Sequence, residues 1–137
     1  MVLQHTTVWL DGRAEGGSPP ALREASLPPG AEPMRVRVSN LPPGSVCAVW
    51  AADPLSAPTL DASYHIKGKV ERMPDPKTFP NIAVRKCDER GQLVTTLANP
   101  LHGYASRQGK YRLPPHVHLR CWLDGTTSRT FTFALAA

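Results

Sequence analysis

The 15 prolines of this chain decide what it can fold into before any other residue is considered. Each fixes φ and removes a backbone donor, so helices and inner strands must fit between them. Together with 10 glycines they make up nearly one residue in five, where roughly 12% is usual. Long helices, coiled coils and collagen are excluded, and no apolar run approaches the roughly 18 residues of a membrane helix. At 137 residues and 41% hydrophobic content the chain can still enclose one core, so residues 1–137 read as a single domain.

Between the prolines the pattern is that of short strands. Val2 to Leu10 is rich in Thr, Val and Trp and closes on Asp11-Gly12. Met34 to Val38 alternates, with Met34, Val36 and Val38 on one face and Arg35 and Arg37 on the other. Val46 to Ala51 is nearly continuous in apolar residues, as suits a central strand covered on both faces. His65 to Arg72 alternates with Lys67, Lys69 and Glu71 outward. Ile82 to Cys87 and Leu93 to Leu97 follow, joined across Asp88 to Gly91 as a hairpin, and Val117 to Leu123 and Arg129 to Leu135 form another across Asp124-Gly125. In this last hairpin Val117, Leu119, Cys121 and Leu123 share a side, as do Phe131, Phe133 and Leu135. About eight strands of this kind predict an all-β, antiparallel β-sandwich, with a jelly roll favoured over an immunoglobulin-like arrangement. Two long Pro/Gly-rich connections interrupt the set: 13–33, with at most a short helix at Pro19 to Ser26, and 99–115.

The charge is uneven. Residues 1–64 hold four basic against six acidic side chains, residues 65–137 twelve against five, and the whole carries +5. A basic half suits nucleic acid, an acidic membrane surface or an acidic protein partner, or is simply solvated. Aromatics are only 7% and do not interleave with the basic residues, so nucleic acid is the weakest of these partners. The loop 99–115 combines Tyr104 and Tyr111 with Arg107, Lys110 and Arg112, a composition common at protein interfaces. These residues, with Lys67 and Lys69, are the candidate partner-binding set, and the two long loops the candidate contact arms.

No catalytic or cofactor signature is present. The chain lacks G-x-S-x-G, both phosphate-binding glycine motifs and any C-x-x-C pair. Cys47, Cys87 and Cys121 each lie in an apolar run, where a free cysteine packs as a small hydrophobe. Residues Met1 to Thr7 do not form a signal peptide, which points to synthesis in a reducing cytoplasm. His116-Val-His118 places two imidazoles on one side of a strand and resembles the H-x-H of cupin metal sites. Gly109 precedes it suitably, but Trp122 or Leu123 stands where cupins have a Glu, and His65 or His102 would have to supply a third ligand. The bland reading is an exposed polar face opposite Val117 and Leu119, and no metal or cofactor is expected. Trp-Leu-Asp-Gly occurs at Trp9 and again at Trp122. Exposed and coplanar, such tryptophans would make a sugar platform, but core packing is the default for Trp9, Trp50 and Trp122.

In type, a small β-sandwich made in the cytoplasm, with long arms and a basic face, resembles the cement or decoration proteins of tailed bacteriophage capsids. The likeness covers the whole chain as architecture and carries no motif. It implies a non-enzymatic structural protein on the outer capsid surface of the virion, self-associated as a dimer or trimer and bridging capsid subunits. A glycan- or host-surface-binding module is the alternative reading, and a cupin-like metal protein using His116 and His118 the third.

Overall fold

The computed structural model describes residues 2–3, 14–51, 76–77, 80–100, 104–105, 112–113 and 115–134. Among them the protein is all-β, with no helix. Six strands form the body: β3 (Pro33–Val38), β4 (Val46–Ala51), β5 (Ile82–Lys86), β6 (Leu93–Ala98), β9 (His116–Trp122) and β10 (Thr127–Ala134). The shorter β1 (Val2–Leu3) and β2 (Ala14–Gly16) extend the two sheets, and β7 (Tyr104–Ala105) pairs with β8 (Arg112–Leu113).

The smaller sheet pairs β3 with β6 antiparallel, with β1 added in parallel along β3. The larger runs β2-β10-β9-β4-β5, antiparallel throughout. Between them lies one core. Met34, Val36, Leu93 and Leu97 of the smaller sheet meet Cys47, Val49, Ala51, Ala83, Val117, Leu119 and Cys121 of the larger, with Phe131 and Phe133 packed against them. Strict alternation along β3 puts Met34 and Val36 into this layer and leaves Arg35 and Arg37 exposed, as the sequence pattern requires. Two antiparallel sheets sharing a core are compatible with a β-sandwich.

Strand β4 is inner and covered on both faces, as its unbroken apolar run indicates. The final hairpin also forms as expected, with Leu119 opposite Phe131 and Val117 opposite Phe133. Leu123 is the exception: it lies past the strand end and is exposed. Asp124 organises the turn, its Oδ1 accepting from the Thr126 and Thr127 amides at 2.8 Å each and from Thr126 Oγ1 at 3.0 Å.

Two expectations are corrected. Asp88 to Gly91 does turn, with Asp88 donating from N to Gln92 O at 2.8 Å, but β5 and β6 do not pair; they leave for different sheets. The reason lies in the neighbouring crossover from β3 to β4. Leu41 N donates to Gly91 O at 3.0 Å, Gly44 N to Asp88 O at 3.3 Å and Cys87 N to Ser45 O at 2.9 Å, so two crossing loops bind one another instead of one hairpin closing. Gly91 is needed here: its φ is +76°, and a Cβ would collide with the Leu41 carbonyl. The second correction concerns Pro19 to Ser26, which is not helical. It runs extended, exchanging Arg23 N to Val84 O and Val84 N to Arg23 O bonds of 3.0 and 2.9 Å with the outer edge of β5. The expected strand at His65 to Arg72, and most of that at Val2 to Leu10, lie outside the described residues.

At the far end of the sheets Asn81 joins the two layers. Its amide nitrogen donates to Ala51 O at 3.0 Å and Ala98 O at 2.9 Å, and its Oδ1 accepts from Ala98 N at 2.7 Å. One fully buried side chain thus ties β4 to β6.

Candidate functional site

Strand β9 carries the His-x-His pair, and the period of two sends both imidazoles to the face away from the shared core. That face is not exposed. His116 is 3% and His118 1% accessible, and so are their neighbours: Ala48 and Trp50 on β4, Ile82 and Val84 on β5, Trp122 on β9, Ser128, Thr130 and Thr132 on β10 are all buried. The expected solvent-facing polar strip is therefore a second interior layer. Several of its polar atoms are paired, which offsets the cost of burying them. His118 Nδ1 and Thr132 Oγ1, facing each other across β9 and β10, share a hydrogen bond of 2.7 Å. The His118 ring stacks on Trp50 at 5.2 Å between centroids, and His116 meets it edge-on at 4.8 Å. Arg120 donates from Nε to Ser128 Oγ at 2.7 Å and lies over the Trp122 ring at 4.9 Å. Trp50 Nε1 and Thr130 Oγ1 stand in the same layer, buried and with no hydrogen-bond partner among the described residues.

The His116 and His118 rings are close enough to share a ligand. Among the described residues, however, no group of three or more His, Cys, Asp or Glu side chains is arranged to hold a metal ion. The Thr132–His118 bond has the length of a hydroxyl paired with its base, but both groups are closed in at 1% exposure, where the bond chiefly satisfies two buried polar atoms. The sequence signal for this layer was in β4. A central strand covered on both faces requires the strands beside it to be covered too, and β9 is one of them.

A second grouping was not foreseen. The three cysteines, 40 and 34 residues apart in the chain, converge beside the double crossover. Ser45 Oγ lies 3.3 Å from Cys87 Sγ, 3.3 Å from Cys121 Sγ and 3.7 Å from Cys47 Sγ. Cys87 also donates to Pro42 O at 3.0 Å. All three thiols are free and buried. Hydrogen bonding between Cys47 and Cys121 splits the pair: it raises Cys47, with burial adding to the rise, and lowers Cys121 against the opposing effect of burial. Linear spacing gave no hint of this, because pairing of β4, β5 and β9 within the larger sheet, not sequence proximity, supplies the contact.

The candidate partner-binding residues Lys67, Lys69, Arg107, Lys110 and Tyr111 lie outside the described residues. Tyr104 and Arg112 fall on β7 and β8, whose backbones pair across Ala105 and Arg112. Exposed basic side chains that are described include Arg35 and Arg37 on the outer face of β3, Arg85 and Lys86 at the end of β5, and Arg129 on β10. Arg85 meets Glu24 at 3.3 Å, an exposed pair of little energetic weight. No described helix could cross a membrane. Set against models of known protein families and against curated proteins, the chain matches none.

Proposed function

We propose that the chain is a non-enzymatic structural protein that binds and stabilises a larger assembly, in the manner of a cement protein bridging subunits on the outside of a bacteriophage capsid. The observation that carries the reading is the division between interior and surface. The described imidazoles and thiols are committed to two closed layers, while Arg35 and Arg37 stand out side by side from β3. A surface of that kind offers a partner charge on a rigid sheet, which favours an acidic protein neighbour. Binding only to the folded chain would then stabilise both by linkage. In this reading the loop residues Tyr104, Arg107, Lys110, Tyr111 and Arg112, with Lys67 and Lys69, add to the contact, and the protein self-associates as a dimer or trimer.

On topology, we infer an immunoglobulin-type Greek key in place of the jelly roll. Lettering β3, β4, β5, β6, β9 and β10 as B, C, C′, E, F and G gives sheets B-E and G-F-C-C′, the grouping of such sandwiches. Trp50 even sits on strand C, although it faces the second layer and not the shared core. That resemblance concerns the fold and leaves the function to be argued from surfaces.

The glycan-binding alternative loses support from the tryptophans. Trp50 and Trp122 are 0% and 4% exposed, so neither can form part of an open sugar platform. The deciding experiment expresses the chain with an affinity tag in its native host, purifies it, and images the co-purifying particles by electron microscopy. Stoichiometric, symmetric occupancy of a protein shell is expected. Recovery only as a free monomer carrying bound metal would overturn the reading.

A further inference from the structure

We propose that Cys47 and Cys121 form a reversible oxidation site, closing a cross-strand disulfide between β4 and β9 when the protein meets a two-electron oxidant. The two residues are direct partners in the antiparallel ladder, and both side chains enter the shared core. The backbone settles which kind of partners they are. Ala51 N donates to Asn81 O, and Cys87 N donates to Ser45 O, so the odd-numbered residues of this strand aim their backbone groups toward β5. In an antiparallel strand those groups alternate in direction, so Cys47 faces Cys121 across a site without hydrogen bonds between them. Such sites are the narrow ones, with Cα atoms roughly 4.5 Å apart and side chains drawn together. Disulfides need Cα atoms about 4.4 to 6.8 Å apart, so the bond can form with little backbone movement.

The third thiol does not enjoy that placement. Cys87 follows β5, is not a ladder partner of either residue, and spends its proton on Pro42 O. Ser45 Oγ touches all three sulfurs and keeps them oriented toward one point. Either sulfur can attack first; hydrogen bonding with Cys47 favours the thiolate of Cys121.

With hydrogen peroxide as oxidant the steps balance. The Cys121 thiolate attacks one peroxide oxygen, the O–O bond breaks, and hydroxide leaves to take up the proton lost from the thiol as water. The Cys47 sulfur then attacks the Cys121 sulfenic acid; the S–O bond breaks, the S–S bond forms, and a second water leaves with the Cys47 proton. Two thiols are oxidised and one peroxide is reduced to two waters. Because both sulfurs are buried, reaction proceeds through brief openings of the sheet, and the product is held once the sheet recloses.

The test oxidises the full chain with hydrogen peroxide, alkylates remaining thiols and maps peptides without reduction. A mass loss of two hydrogens, a Cys47–Cys121 linked peptide pair and an alkylated Cys87 are expected. The bridge closes a long loop in the unfolded chain, so the thermal midpoint should rise by on the order of 10 °C and fall back on adding dithiothreitol. Cys87→Ala should keep both effects, and Cys47→Ala or Cys121→Ala should lose them. The wild-type map decides the matter without any variant. Three alkylatable thiols after oxidation of the folded protein, a bridge through Cys87, or only bridges between chains would overturn the proposal.

Discussion

A single buried amide ties the two layers of this fold together. Three hydrogen bonds of Asn81, two to carbonyls and one from an amide, reach both β4 and β6. Replacing it with Ala would leave Ala98 N and two carbonyls in a dry place, and each unmet buried group costs about 1–3 kcal/mol. Asn81→Ala should therefore destabilise by about 3 kcal/mol in urea unfolding. Asn81→Asp should do no better, because its second oxygen would face the Ala51 and Ala98 carbonyls. A loss below about 0.5 kcal/mol for Asn81→Ala would show that the amide does not tie the sheets. Nothing in the sequence marks Asn81 out: it follows Pro80 at the edge of an apolar run. Its role depends on which strand ends the fold brings together, and that is a tertiary fact. His118 was legible only by half. Its face follows from the period of two, but its burial follows from the covering of β4 and from Thr132 and Trp50 as neighbours.

At the scale of elements, local pattern and turn chemistry carried most of the way. The β3 alternation, the doubly covered β4 and the β9–β10 hairpin all rest on side chains a few residues apart. Pairing between β5 and β6 did not follow from the Asp88 to Gly91 turn, because the loop at Leu41 to Ser45 competes for the same backbone groups. In the β9–β10 turn no such competitor intervenes among the described residues, and the Asp124 carboxylate sets the geometry. Its hydrogen bonds from Thr126 and Thr127 depress its pKa below the ordinary carboxylate value of 3.8. A depressed folded pKa means that the charged form is preferred in the fold. Its contribution is therefore complete above about pH 4, where the unfolded carboxyl also ionises, and is lost as pH falls through the folded value. Amide exchange at Thr126 and Thr127, followed by NMR, should accelerate below that pH beyond the ordinary acid trend. In Asp124→Ala the turn amides should exchange fast throughout, with no such step. An unchanged profile in the variant would mean that the turn is held by its strands alone.

For the molecule as a whole the question is what its excess positive charge is for. Arg35 and Arg37 are exposed and alternate with Met34 and Val36, which are fully buried. This arrangement lets surface charge be changed without disturbing the core. Reversing both to Glu changes the charge by two at each site, taking the chain from its +5 to +1. Exposed substitutions of this kind usually move stability by no more than about 0.5 kcal/mol. The midpoint of urea unfolding should accordingly stay near that of the wild type. Attachment to an acidic assembly surface should not, since attraction between separated charges steers encounter and like charges oppose docking. In co-sedimentation with the particles recovered through the wild-type chain, the double variant should bind at least about tenfold more weakly at low salt. Salt supplies the second arm of the argument. At about 0.15 M the screening length is roughly 8 Å, so the wild type should lose affinity steadily as salt rises, while the variant, with little attraction left to screen, should change much less. If the two proteins fell together with salt, or bound equally at all concentrations, the β3 face would lie away from the contact. Charge reversal at Arg107, Lys110 and Arg112 would then be the next place to look, with the same pair of readouts separating a docking loop from a solvated one.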